Sequence, residues 1–436
     1  MRICVQGLWH LGTVTAACLA SLGHDVVGYD ADASAVEALQ QARPPILEPG
    51  LTQFVQTGLA SGQLQFTSQP QIAVKHATVL WVAYDTPVDE DDVADVGFVM
   101  ESVKVMLPHL PSGGLVIVSS QLPAGSVAAL EAFAAAALPE RKFTFACIPE
   151  NLRLGKALEV FLQPDRIVVG IRDEADRALL QPLVHSISER VEWMSIESAE
   201  MTKHAINAFL AVSVTFANEL ATLCETVGAD AKEVERGLKS ETRIGPRAYL
   251  APGVAFAGGT LARDVAFLSQ AATAVGRSVP LLDAVRPSNE AHKQWTLRKL
   301  KEVLGDLRGA RIAVWGLTYK PETDTLRRSA ALELCRALVK EGARLAVHDP
   351  AAGPLPTDLA THIERAETPT AALREATGLA VCTEWPEYRD ITAAAVAVAA
   401  PNILVADPNR FLRHLADQPG IRYRAVGTPA FARSTT

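Results

Sequence analysis

Short runs of β-branched and aliphatic residues alternate with helical stretches through the first third of the chain, and nothing else constrains its fold as strongly. Arg2–Val5, Asp25–Tyr29, Thr78–Ala83, Gly114–Ser119 and Phe143–Ile148 each end near a turn signal, with helices expected at Thr13–Ser21 and Ala33–Gln41. Such alternation predicts a parallel sheet covered on both faces. From Ser198 to Thr226 the period turns helical, unbroken by Gly or Pro. At ~1.5 Å per residue this is a rod roughly 40 Å long, better suited to joining domains or building a subunit interface than to lying on a sheet. After Leu300 the alternation returns, with strands expected at Arg311–Trp315, Arg344–His348, Leu379–Thr383 and Ile403–Ala406. The expected class is α/β: two Rossmann-like parallel-sheet domains, 1–195 and 299–436, joined by a long central helix and a helical domain over 196–298.

Composition narrows the function. The 436 residues carry 41 Lys and Arg against 49 Asp and Glu, a net charge of −8 with no basic block. That argues against nucleic acid or an anionic membrane as partner. The longest apolar stretches, near Ala128–Leu138 and Ile391–Ala400, are shorter than the ~20 residues a membrane span needs. The six Cys lack paired or His-rich spacing, so they read as reduced cytosolic thiols and no metal site is expected. The opening Met1-Arg2-Ile3-Cys4-Val5 reads as a first strand, not a signal segment, and a cytoplasmic protein is expected.

Between the first strand and helix lies Gly7-Leu8-Trp9-His10-Leu11-Gly12. The spacing is that of a dinucleotide fingerprint whose middle glycine is Trp9. That glycine ordinarily lets backbone approach a pyrophosphate resting on the helix N-terminus. An indole there must point away or fill the phosphate's space. Asp30 ends the second strand, 18 residues beyond Gly12. An acid there accepts from ribose hydroxyls and disfavours a 2′-phosphate, so NAD is expected over NADP.

Later motifs, in order along essentially the whole chain, resemble the UDP-glucose/GDP-mannose 6-dehydrogenase family. Glu48-Pro49-Gly50-Leu51 resembles its EPGL, Thr86-Pro87 its TP, and Ser120-Gln121-Leu122-Pro123-Ala124-Gly125-Ser126 its STVPxGT. Pro149-Glu150-Asn151-Leu152-Arg153 with Pro164-Asp165-Arg166-Ile167-Val168 is similar to PEFLRE…PDRIV. Glu200-Met201-Thr202-Lys203 with Asn207, Asn218 and Glu219 resembles the central-helix signature. Gly258-Gly259-Thr260-Leu261-Ala262-Arg263-Asp264 stands where the family has GGSCFPKD, and Gly316-Leu317-Thr318-Tyr319-Lys320-Pro321 with Arg327 resembles GLAFKP…R. The resemblance implies oxidation of a nucleotide sugar at C6 to a carboxylate with two NAD, through a thiohemiacetal and a thioester. It also implies a homodimer built on the central helix and a nucleotide held mainly by the C-terminal domain.

Carried over residue by residue, the resemblance makes Lys203, Asn207, Asp264, Glu150 and Thr260 the candidate catalytic residues. Gly7, Leu11, Gly12, Asp30, Thr86, Gln121, Arg263 and Arg327 become cofactor contacts, and Leu152, Arg243, Gly259 and Lys320 substrate contacts, with Arg243 reaching a sugar across the dimer interface. Lys203 and Asn207, spaced i, i+4, share a helix face, and a fixed cation beside an amide donor is what an oxyanion needs. Asp264 matches the acidic partner of the base and also reads as an N-cap. His204 reads as packing or surface. Thr260 replaces the nucleophilic Cys, Leu154 a second glutamate, Gln121 a threonine and Trp9 a glycine. A threonine hydroxyl is a poor substitute for a thiolate, so the reaction is expected to stop at the aldehyde. Cys147 reads as a buried strand residue rather than a replacement nucleophile. A sugar-binding homologue with a blocked dinucleotide site, and an epimerase or isomerase using NAD transiently, remain open alternatives.

Overall fold

The computed structural model describes residues 1–87, 94–257 and 259–429, which form two compact units, 1–206 and 207–436. Gly258, the first residue of the glycine pair singled out above, lies outside the described residues.

The first unit is built on an eight-stranded sheet: β1 (Arg2–Gln6), β2 (Asp25–Tyr29), β3 (Leu64–Thr67), β4 (Val79–Val82), β5 (Leu115–Val118), β6 (Thr144–Cys147), β7 (Ile167–Ile171) and β8 (Val191–Ser195). Its order is β3-β2-β1-β4-β5-β6-β7-β8. All pairs are parallel except β6 with β7, where Cys147 faces Gly170 in an antiparallel bridge. The expected all-parallel sheet is therefore mixed at one junction. Alternate residues of each strand face opposite layers. Ile3 and Val5 pack in one core with Val79, Trp81 and Ile117, while Cys4 packs in the other with Leu80, Val82 and Val118. Because both faces are covered, these strands read as continuous apolar runs instead of alternating ones. The first helix, His10–Ser21, starts earlier than expected and is buried from Leu11 through Ala20.

The central helix, Ile196–Val227, runs through the unit boundary between Ile206 and Asn207. By length and mean hydropathy it is apolar enough to cross a membrane, which the sequence reading overlooked. Yet Glu200, Lys203, His204, Asn207, Asn218 and Glu225 on it are buried within the protein, a pattern of paired polar groups inside a folded core.

The second unit combines further helices with a wholly parallel six-stranded sheet of order β11-β10-β9-β12-β13-β14. Its strands are β9 (Arg311–Trp315), β10 (Arg344–His348), β11 (Ile363–Arg365), β12 (Gly378–Val381), β13 (Ile403–Ala406) and β14 (Ile421–Arg424). Glu225, at the end of the central helix, fastens the helical part to this sheet domain. It accepts from Trp295 Nε1 (2.8 Å) and the Gly427 N–H (3.0 Å) and pairs with Lys299 (2.9 Å). Arg410 grips Asp230 with two bonds of 2.8 and 2.9 Å.

Candidate functional site

In an open parallel sheet, ligands lie beyond the carboxyl ends of the strands where the strand order reverses. In the first unit that point lies between β1 and β4. Gly7 follows β1 at φ +91°, in the left-handed region, and a Cβ on it would come within 2.6 Å of the Tyr84 ring. A Cβ on Gly12 would run into the Gly7 carbonyl. These two glycines are thus required by the turn itself. Trp9 is not a misfit: it caps the helix at φ −81°, and its side chain is 54% exposed. The middle position therefore accepts a side chain without strain. Asp30 accepts the Leu8 N–H at 2.8 Å, which fixes the carboxylate beside the turn. The Leu11 N–H, one of the unpaired donors of the helix N-terminus, is donated to Asp85 Oδ2 at 2.9 Å. Asp85 was not singled out in the sequence, although it directly precedes Thr86-Pro87.

Around this turn the loops are cross-linked. Buried Glu48 meets His10 at 2.9 Å and accepts the N–H groups of Gly155 and Ala157. The EPGL-like motif thereby ties the first turn to the loop after β6. The Thr86 hydroxyl donates to the Gln121 carbonyl at 2.7 Å, linking the loops after β4 and β5. Leu152 donates its N–H to Glu150 Oε2 (2.7 Å), and Glu150 Oε1 pairs with Lys203 at 3.2 Å, both side chains largely buried. On either side of Lys203, Glu200 accepts the N–H groups of Gly125 and Val127 (2.7 and 2.9 Å), and His204 Nε2 meets the Leu122 carbonyl at 2.8 Å. Burial pushes the Glu200 carboxyl above its ordinary range against those two hydrogen bonds. His204, which read as packing or surface, is buried. A narrow cleft is lined by Ser120, Gln121, Cys147, Glu150, Glu200 and Lys203, among others. Burial pushes the Cys147 thiol well above its usual range. That disfavours a thiolate, as expected for a strand cysteine.

In the second unit, buried Asn207 donates its amide to the Asp264 carboxylate. Asp264 is fully buried and is the fifth residue of the helix Thr260–Ala274, whose N-cap is Gly259. The N-cap reading of Asp264 is therefore corrected: its position inside the first helical turns directs the carboxylate to Asn207. Thr260 opens that helix and is exposed. Gly259 adopts φ +102°, and a Cβ there would strike the Arg328 guanidinium. Arg263 lies half-buried one turn into the helix. Arg243 is exposed and pairs locally with Glu241 at 3.0 Å. The turn after β9 carries Lys320, half-buried, and Arg327, exposed. Its start is fixed by Asp349, which accepts the Leu317 and Thr318 N–H groups at 2.6 and 2.9 Å. Asn218, Asn289 and His292 hold the backbone of Gly253 and Phe256. Of these, only Asn218 belonged to a recognised motif. Among the described residues no cluster of His, Cys, Asp and Glu has the arrangement of a metal site.

The β1 turn fits a dinucleotide at its two obligatory glycines and at Asp30, with Asp85 in contention for the helix N-terminus. Comparisons with known proteins agree with that fit. Models of the UDP-glucose/GDP-mannose dehydrogenase family match in three consecutive pieces: the NAD binding domain over residues 1–188, the central domain over 197–291 and the UDP binding domain over 313–414. The UDP-glucose 6-dehydrogenase of Rhizobium meliloti (strain 1021) is 34% identical over 98% of this chain and 100% of its own length. UDP-glucose 6-dehydrogenase TuaD of Bacillus subtilis (strain 168) is 31% identical over 98% of this chain and 94% of its own. The structure of a UDP-glucose dehydrogenase from Pyrobaculum islandicum superposes with a TM-score of 0.86 at 32% identity, covering 98% of each chain.

Proposed function

Because the chain belongs to the UDP-glucose/GDP-mannose dehydrogenase family, an NAD-dependent group of nucleotide-sugar oxidoreductases, we propose that it oxidises a UDP-glucose-like sugar at C6 and releases the aldehyde or its hydrate. Bound NAD supplies the hydride acceptor. The alcohol loses a hydride from C6 and a proton from its oxygen, two electrons in all. Lys203, held by Glu150 at 3.2 Å, and Asn207, one helical turn further on, stabilise the developing alkoxide. Asp264, bonded to the Asn207 amide, receives the proton through water. Gly7, Leu11, Gly12, Asp30, Thr86, Gln121, Arg263 and Arg327 are assigned to the cofactor, and Leu152, Arg243, Gly259 and Lys320 to the sugar nucleotide.

The observation that carries the two-electron endpoint is Thr260, exposed at the first position of its helix. A thiol there would be acidified by the helix N-terminus and would capture an aldehyde. A threonine hydroxyl stays protonated and leaves the aldehyde uncaptured. NADH counted per UDP-glucose consumed is expected to be one, and Thr260→Cys should move it toward two with uronate appearing. Two NADH per sugar from the unaltered chain would overturn the reading.

The reading includes a homodimer. Phe209, Phe216 and Leu223 stand seven residues apart on the central helix and are 68%, 49% and 61% exposed, an apolar stripe of the kind that a second copy covers. Phe216→Glu should convert the dimer to monomer in light scattering; an unchanged mass would refute the interface. The polar residues buried along that helix support a cytoplasmic enzyme over a membrane-spanning one.

A further inference from the structure

We propose that the Asp85 carboxylate is an internal competitor for the cofactor's pyrophosphate, and so sets how tightly this chain holds NAD. The proposal rests on the dehydrogenase reading and concerns the cofactor half of it.

The helix His10–Ser21 has 12 residues. Its first N–H groups have no partner within the helix, and together with the helix dipole they make a receptor for an anion. In a dinucleotide-binding turn that anion is the pyrophosphate. Here the N–H of Leu11, the second residue of the helix, is given at 2.9 Å to Asp85 Oδ2. The carboxylate arrives from the loop after β4, and β4 is the strand paired with β1 across the reversal of strand order. It therefore reaches over the crevice that a dinucleotide uses. Otherwise the cradle is intact: Gly7 and Gly12 keep the close backbone approach, and Asp30 holds the Leu8 N–H. The other departure on this turn, Trp9, stands half in solvent.

A carboxylate and a pyrophosphate cannot share one N–H. Both are anionic, and at hydrogen-bonding separation their repulsion is only partly screened. Asp85 is exposed, so its side chain can leave for water. NAD is thus admitted, but only to the fraction of molecules in which Asp85 has moved, and the apparent affinity falls by that fraction.

Calorimetry with NAD, ADP-ribose and adenosine tests this without relying on turnover. Asp85→Asn keeps shape and removes charge, and Asp85→Gly removes the side chain. Both variants should bind NAD and ADP-ribose about tenfold tighter or more, with adenosine, which lacks the pyrophosphate, bound as before. Unchanged or weakened NAD and ADP-ribose affinity in both variants, with the unaltered chain binding NAD normally, overturns the competition and leaves the dehydrogenase reading standing. An equal gain for adenosine also overturns it, since the effect would then not act at the pyrophosphate. If neither the unaltered chain nor the variants bind NAD while UDP-glucose binds, the inference and the NAD-dependent reading fall together.

Discussion

The turn after β1 and the turn after β9 open with the same three moves. Gly7 at φ +91° and Gly316 at φ +86° reverse the chain. Their N–H groups are donated to Tyr29 and His348 carbonyls at 2.9 and 2.8 Å, at the ends of the neighbouring strands. An aspartate just beyond each neighbour, Asp30 or Asp349, then accepts the next N–H, from Leu8 or Leu317. After that they part. The first turn enters its helix three residues after Gly7, presenting backbone donors at a helix N-terminus. The second wanders until Ala330, fourteen residues after Gly316, and presents Lys320 and Arg328. One scaffold thus offers two ways to meet a diphosphate: neutral N–H groups backed by a dipole, and side-chain cations. The first is open to contest by a single carboxylate such as Asp85, whereas the second brings its own positive charge.

The largest effects should separate the turns. Gly12→Ala forces a Cβ into the Gly7 carbonyl, and Gly316→Ala meets both the Thr383 side chain and its backbone. Each should lower unfolding free energy by roughly 3 kcal/mol or more in denaturant titrations. Calorimetry should show Gly12→Ala abolishing NAD binding and sparing UDP, and Gly316→Ala doing the reverse. Loss of both ligands in both variants would refute the division of labour.

Asp349 gives a smaller effect with a definite pH signature. Burial acts to raise its pKa, but the hydrogen bonds from Leu317, Thr318, Ala351 and Trp385 outweigh it, and the carboxyl ends below its ordinary range. A carboxyl whose folded pKa is depressed contributes stability above its unfolded value, ~3.9, and loses it as pH falls through the folded one. Asp349→Asn should therefore cost about 1–3 kcal/mol at pH 7, with the gap to the unaltered protein closing below pH ~4. A gap that persists undiminished in acid would show that shape, not charge, holds this turn.

How much of this was legible in the sequence follows from range. Gly7, Gly12 and Asp30 declared themselves because a short turn between strand and helix has few solutions, and β9, β10, β12 and β13 of the second sheet lie within two residues of their apolar runs, whereas the short edge strands β11 and β14 were not read from the sequence. Direction and partnership were not legible. Ile167–Ile171 was not among the expected strands, and nothing in its apolar run says that it pairs against β6. Asp85 bonds a residue 74 positions away, and a carboxylate next to Thr-Pro carries no local sign of where it points. Asp264 was misread as a cap because spacing alone cannot fix a helix start, which Gly259 sets through its left-handed backbone. The family motifs located the candidate side chains; their hydrogen-bond partners came from packing.

Lys320 offers the finest test of the comparison. It lies half-buried in the β9 turn, whose shape is held by the Thr323 hydroxyl on its own carbonyl at 2.9 Å and by the Tyr319 N–H on Thr325. Replacing its side chain removes one charge from the turn and leaves those two hydrogen bonds in place. Lys320→Ala is expected to weaken UDP binding about tenfold, roughly 1.4 kcal/mol, and to reduce the salt dependence of that binding, because one screened attraction is gone. NAD affinity should not move. Equal weakening of NAD, or an unaltered salt dependence for UDP, would mean that the second turn, like the first, receives its ligand through backbone donors, and the contrast between the two would collapse into repetition.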